Sequence, residues 1–162
     1  MPSCARSTRS AACWPDVSTL YRDIVLDHHR MPRRSGLLEA PSHGCDGVNA
    51  LCGDSLRLEL RVEHGCIVEY GFRGECCAIT TATASLLGER VQGLPIDALA
   101  PLQSAFAELI AGGAAGPALG VLAALAELAR YPARRKCALL PWATLAAALG
   151  GESRTTTEKD AP

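Results

Sequence analysis

Leu56, Leu58, Leu60 and Val62 alternate with Arg57, Glu59, Arg61 and Glu63, the two-residue period of a strand with one buried face. His64-Gly65 marks a turn, and Cys66, Val68, Tyr70 and Phe72 repeat the alternation, so the segment predicts a β-hairpin. An isolated two-stranded sheet is marginal, and a further edge strand is expected from the residues before Cys52. From Ala78 the period becomes helical: Ala78, Ala82, Leu86 and Val91 share one apolar face, and Gly93 supplies the stop. Ahead of the hairpin, Ser18 to His29 predicts a short helix on Leu20, Ile24 and Val25, stopped by Pro32. Pro95 to Ala111, Pro117 to Arg130 and Arg134 to Leu149 predict three more helices, with the glycine-rich run 112–116 as a link. Strands early and helices late give an α+β fold, a small antiparallel sheet of about three strands covered on one face by four to five helices.

The 162 residues are long enough for one domain with a single core. Residues 1–16 lack periodicity and are expected to form a disordered leader, 17–150 the domain, and 151–162 a fraying polar tail. A loop rich in Gly, Ser and Pro is expected from Arg33 to about Asp54. With 16 basic and 17 acidic side chains, net charge points to neither nucleic acid nor an anionic membrane. No stretch reaches the roughly 18 apolar residues of a spanning helix. The first residues hold no apolar signal core, so a cytoplasmic location is expected.

That location gives the eight cysteines a metal or redox reading rather than a disulfide framework. Cys4 and Cys13, in the leader, are incidental, and Cys66 on the inward strand phase is a small hydrophobe. Cys45 and Cys76 stay open. Cys52-Gly53-Asp54, Cys77 and Cys137 together carry three thiols and a carboxylate, a tetrahedral donor set for zinc. Gly53 lets Cys52 and Asp54 point at one centre, and Cys77 falls at a helix start, where positive partial charge favours the thiolate. Arg134, Arg135 and Lys136 place cations beside Cys137. Cysteines 25 and 60 residues apart match no standard zinc finger, and spacing alone favours three buried structural thiols. His28 and His29 suit a charge–dipole role at a helix C-terminus. His43 with Cys45 and the turn residue His64 are expected in solvent. Trp14 and Trp142 suggest packing.

The segment Leu20 to Arg33, with Asp27-His28-His29-Arg30-Met31-Pro32, resembles the opening of the iron–sulfur cluster assembly family that includes IscU, SufU and the N-terminal domain of NifU. Cys52-Gly53-Asp54 is similar to its first cysteine motif, Phe72 to Thr80 to its second, and Tyr131 to Leu140 to its third. The resemblance covers about residues 18–150. Lys136, where the IscU scaffold type commonly carries histidine, and the insertion-like stretch 112–130 resemble the SufU branch. That resemblance implies zinc held by Cys52, Asp54, Cys77 and Cys137, with Cys52 accepting persulfide sulfur from a SufS-type cysteine desulfurase for downstream SUF components. Arg134 is carried as the cation of the site. The alternatives are a scaffold forming a [2Fe–2S] cluster on the same four residues, and a structural zinc protein. Three positions depart from the family pattern: Asn49-Ala50-Leu51 replaces Asn-Pro, Cys76 replaces glycine, and Pro141 follows Cys137 by four. Pro141 either kinks the last helix or marks its true start.

Overall fold

In the computed structural model, which describes residues 17–157, the two alternating segments form β2 (Asp54–Glu63) and β3 (Cys66–Glu75). His64 and Gly65 join them with φ of 51° and 75°, the left-handed pair of a tight hairpin turn. The expected edge strand is β1 (His43–Asn49), antiparallel to β2 from His43 opposite Leu60 to Asn49 opposite Asp54. The α+β class therefore holds, with one more strand than expected. Arg154–Thr156 form β4, parallel to β1 along Asp46–Val48, and the sheet runs β3-β2-β1-β4. The tail expected to fray from Gly151 is thus paired through Thr156, because the open edge of β1 supplies backbone partners that composition does not reveal. The leader, with Cys4, Cys13 and Trp14, and residues 158–162 lie outside the described residues.

The inward phase of β3 corrects one expectation. Arg61 pairs with Glu69, but Val62 pairs with Ile67, so Val68 is an extra residue in β3. This bulge reverses the alternation. Ile67 is fully buried, whereas Cys66 and Val68, expected inside, are half-buried.

Helix α1 (Val17–Arg30) packs on α2 (Ala78–Val91). A single 3₁₀ turn at Ile96–Ala98 leads into α3 (Leu99–Ile110), and α4 (Arg135–Leu149) lies across β1 and β2. Gly47 permits that last approach, since a Cβ there would overlap Thr144 Oγ1 on α4. Phe106 and Trp142 meet at 5.5 Å between ring centroids, in the same core as the buried Leu56, Leu58 and Leu60 of β2. The segment Pro117–Arg130, expected as an α-helix, forms 3₁₀ turns broken at Gly120. Leu119, Leu122, Leu125 and Leu128 are its buried residues, and their spacing of three matches three residues per turn.

His28 is buried, not a charged helix terminus. Its Nδ1 lies 2.7 Å from Ser85 Oγ, which also accepts the Arg33 N–H at 2.7 Å. Burial, then the Arg33 charge, lower its pKa, so the ring clasps α1 to α2 as neutral imidazole. Cys45 is buried in the core instead of exposed, because its stretch is strand β1 and not loop. His43 is half-buried beside Ser42, at 2.8 Å, and His64 is exposed as expected. No helix among the described residues is long and apolar enough to cross a membrane.

Candidate metal centre

A turn and the starts of β2, α2 and α4 carry the four candidate donors. Cys52 stands in the turn Ala50–Gly53, closed by the Gly53 N–H on Ala50 O at 3.2 Å, and Gly53 takes φ 70°. Asp54 opens β2 and is buried. Cys77 caps the N-terminus of α2, its sulfur accepting the Thr80 N–H at 3.5 Å. Cys137 is buried in the first turn of α4.

Donor atoms of Cys52, Asp54 and Cys137 all lie within 4.8 Å of one another. The Cys137 and Cys52 sulfurs are 3.0 Å apart, and Cys77 Sγ is 3.7 Å from Asp54 Oδ2. A tetrahedral zinc with ordinary bond lengths needs edges of about 3.8 Å between sulfurs and about 3.5 Å between sulfur and oxygen. Cys52, Asp54 and Cys137 fit three corners of such an ion, and Cys77, beside Asp54, would supply the fourth. Asn49, the cross-strand partner of Asp54, is fully buried with no hydrogen-bond partner on its amide. That leaves a spare N–H donor beside a centre whose net charge would be about −2 with a dication.

Charge within the donor set is already polarised. The Cys137 thiol donates to Cys52 Sγ at 3.0 Å. The neighbouring Cys137 thiol, and then the Thr80 hydroxyl and N–H, lower the Cys77 pKa to about 6 despite burial. Its nearness to Cys77, then burial and the bond to Cys52, push Cys137 upward. Cys76 is excluded from the set. Its thiol donates to Ser55 O at 3.4 Å, and burial, followed by the Asp54 and Cys77 charges, drives its pKa up to about 12.

Thr80 had no role in the sequence reading. Its buried hydroxyl donates to Asp54 Oδ2 at 2.6 Å and reaches Cys137 O at 3.2 Å and Cys77 Sγ at 3.3 Å. The spacing of three between Cys77 and Thr80, a cap residue and a polar residue facing back to it, was the available signal. Helix α4 continues through Pro141, which has no N–H for the Cys137 carbonyl, and Thr80 reaches that oxygen instead.

Arg134 is exposed and lines both openings beside the centre. One cavity, of about 580 Å³, runs from Cys77 along Tyr21, Val25, Leu26 and Tyr131; the other, of about 470 Å³, reaches Cys52, Leu51 and Lys136. Arg135 is turned away, donating to Ala129 O at 3.0 Å. Leu51, next to Cys52, is 78% exposed, so this side of the centre is open to a partner.

Residues 20–149 match the NifU-like N terminal domain family. The chain is 33% identical to the zinc-dependent sulfurtransferase SufU of Bacillus subtilis over 132 residues, covering 80% of this chain and 89% of that protein. It is 32% identical to the iron–sulfur cluster assembly scaffold protein IscU of Streptococcus pyogenes, covering 82% and 84%. The crystal structure described as an iron–sulfur cluster assembly scaffold protein for the SUF system (FiSufU), from Fervidobacterium islandicum AW-1, superposes with a TM-score of 0.75 at 27% identity, covering 81% of this chain and 97% of that one. The chain therefore belongs to the NifU-like N-terminal domain family, with IscU and SufU among its relatives.

Proposed function

We propose that this protein is a zinc-dependent sulfur carrier in iron–sulfur cluster assembly, accepting persulfide sulfur from a SufS-type cysteine desulfurase. One observation carries the reading: Cys52, Asp54 and Cys137 cluster within 4.8 Å of one another, with Cys77 Sγ 3.7 Å from Asp54, at a place that opens to solvent on the Cys52 side. The donors are Cys52, Asp54, Cys77 and Cys137. Zinc bound there would hold the sulfurs as thiolates and mask them until a partner docks.

The chain's own residues supply the rest. Cys77 and Cys137 are fixed by helix starts and Asp54 by the first residue of β2, whereas Cys52 sits on a turn. Cys52 can therefore leave the set without unwinding a helix, and it is the sulfur acceptor. Its thiolate attacks the outer sulfur of the desulfurase persulfide. The old S–S bond breaks, Cys52 becomes the persulfide, and the desulfurase cysteine departs as thiolate. Arg134, at both openings, offsets the accumulated negative charge. Leu51 and Tyr131, both exposed beside the centre, provide apolar contact for the desulfurase, and downstream SUF components receive the sulfur.

Cysteine-dependent alanine production by the desulfurase tests this. Zinc-loaded protein is expected to stimulate it strongly, and Cys52→Ala to abolish the stimulation. No stimulation by either zinc-loaded or metal-free protein would reject the relay and put [2Fe–2S] scaffolding on the same residues first. Anaerobic cluster loading then decides.

A further inference from the structure

Thr80 Oγ1 carries one proton and faces two oxygen acceptors, Asp54 Oδ2 at 2.6 Å and Cys137 O at 3.2 Å, with Cys77 Sγ, a softer and weaker acceptor that bound zinc would occupy, at 3.3 Å. Neither acceptor is incidental. Asp54 is the hard, carboxylate arm of the donor set, and its other oxygen is already held by the Cys77 N–H at 2.7 Å. The Cys137 carbonyl would be bonded inside α4 if residue 141 carried an N–H, and Pro141 leaves it open. All of this is buried, so water offers no easy substitute donor.

Resting on the metal-centre reading, we propose that Thr80 is a positioning residue that sets how readily Asp54 lets go of zinc. When the carboxylate is free, the hydroxyl donates to it. When the carboxylate is engaged, the proton turns to the Cys137 carbonyl. A hydrogen bond to a charged acceptor is the stronger of the two, so Thr80 favours the released arm. The protein thereby keeps the carboxylate arm labile beside the Cys52 turn while Cys77 and Cys137 remain in place, and Pro141 supplies the second oxygen acceptor that lets the hydroxyl change partners without being stranded.

The test is zinc transfer from the loaded protein to a chromophoric chelator. Thr80→Val removes the hydroxyl at nearly constant volume. It costs the free carboxylate a charge-assisted bond and the engaged state only a neutral one, so zinc release should slow by about five-fold. Thr80→Ser keeps the hydroxyl and should release zinc at the parental rate. A purely structural threonine predicts the opposite sign, with faster release from a loosened site, and faster or unchanged release from Thr80→Val overturns the proposal. Pro141→Ala is the second arm if Thr80→Val does not fold. It supplies a competing N–H to Cys137 O and should hasten release about two-fold; unchanged or slower release overturns the proposal. Zinc content measured before the transfer separates the two levels. Protein that takes up no zinc refutes the metal centre and the role of Thr80 with it, whereas normal loading with the wrong release rates refutes Thr80 alone.

Discussion

Asp54 Oδ1 accepts the backbone N–H of Cys77 at 2.7 Å, which ties the first residue of β2 to the start of α2. The carboxylate is therefore structural before any metal arrives. Asp54→Ala leaves that N–H without its acceptor and turns the Thr80 hydroxyl to the Cys137 carbonyl, a loss of about 1–3 kcal/mol. Asp54→Asn keeps an acceptor oxygen and should lose about half as much. Urea unfolding of the metal-free variants measures both, and equal losses would refute the separation. Retained folding in Asp54→Ala with weakened zinc binding distinguishes a chemical site from a purely structural one.

Thiol reactivity should be strongly unequal. The lowered pKa of Cys77, about 6, makes it thiolate at neutral pH, while Cys137, donating to Cys52 Sγ at 3.0 Å, is held as the thiol. Iodoacetamide followed by peptide mass spectrometry on metal-free protein should find Cys77 modified well before Cys137, with the Cys77 rate rising as pH increases through about 6. Zinc should protect it. Faster labelling of Cys137 would contradict the assignment.

His28 predicts an acid-sensitive clasp between α1 and α2. Its folded-state pKa is lowered by burial and Arg33, while an unfolded histidine titrates near 6.5. The unfolded chain thus binds the extra proton first as pH drops. The stabilisation is complete above about 6.5 and is lost as pH falls through the folded value. His28→Gln, which cannot titrate, should flatten that part of the profile. Urea midpoints between pH 7.5 and 5 check it; parallel curves for both proteins would sink the idea.

Gly47 should tolerate no side chain. A Cβ there overlaps Thr144 Oγ1, and α4 would have to lift from β1, at a cost of about 1–3 kcal/mol. Pairing Gly47→Ala with Thr144→Ala should recover part of that loss, as a double-mutant cycle in chemical denaturation will report. Strict additivity would mean the two residues do not compete for the same space.

Much of this arrangement was legible because its physics is local. The alternation from Leu56 to Val62 and the helical face from Ala78 to Val91 became β2 and α2 with their expected bounds. Cys52, Asp54 and Cys137 lie together, with Cys77 beside Asp54. What escaped depends on pairing at a distance. Ser153 O accepts from Asp46, more than a hundred residues earlier, and nothing in the polar tail advertises it. The extra residue at Val68 is visible only from the register with Arg61 and Val62. Cys45 and His28 lie in segments rich in turn or polar residues, and only packing from α4 and α2 reveals their burial. The leucines at 119, 122, 125 and 128 did announce a period of three, but alanine and leucine content favoured the more compact helix.

That choice of helix sets a ruler beside the site. A 3₁₀ turn rises about 2.0 Å per residue against about 1.5 Å for an α-helix, so the ten residues from Val121 to Arg130 reach roughly 20 Å. They form a strut that ends where Tyr131 and Arg134 meet the openings. Its natural unit of change is a whole turn. Adding or deleting three residues would preserve the buried leucine row and shift the rim by about 6 Å, whereas a single residue would swing every following leucine by about 120°. Length variation in this strut is thus quantised, and the gap a docking partner meets can be widened or narrowed only in steps of three residues.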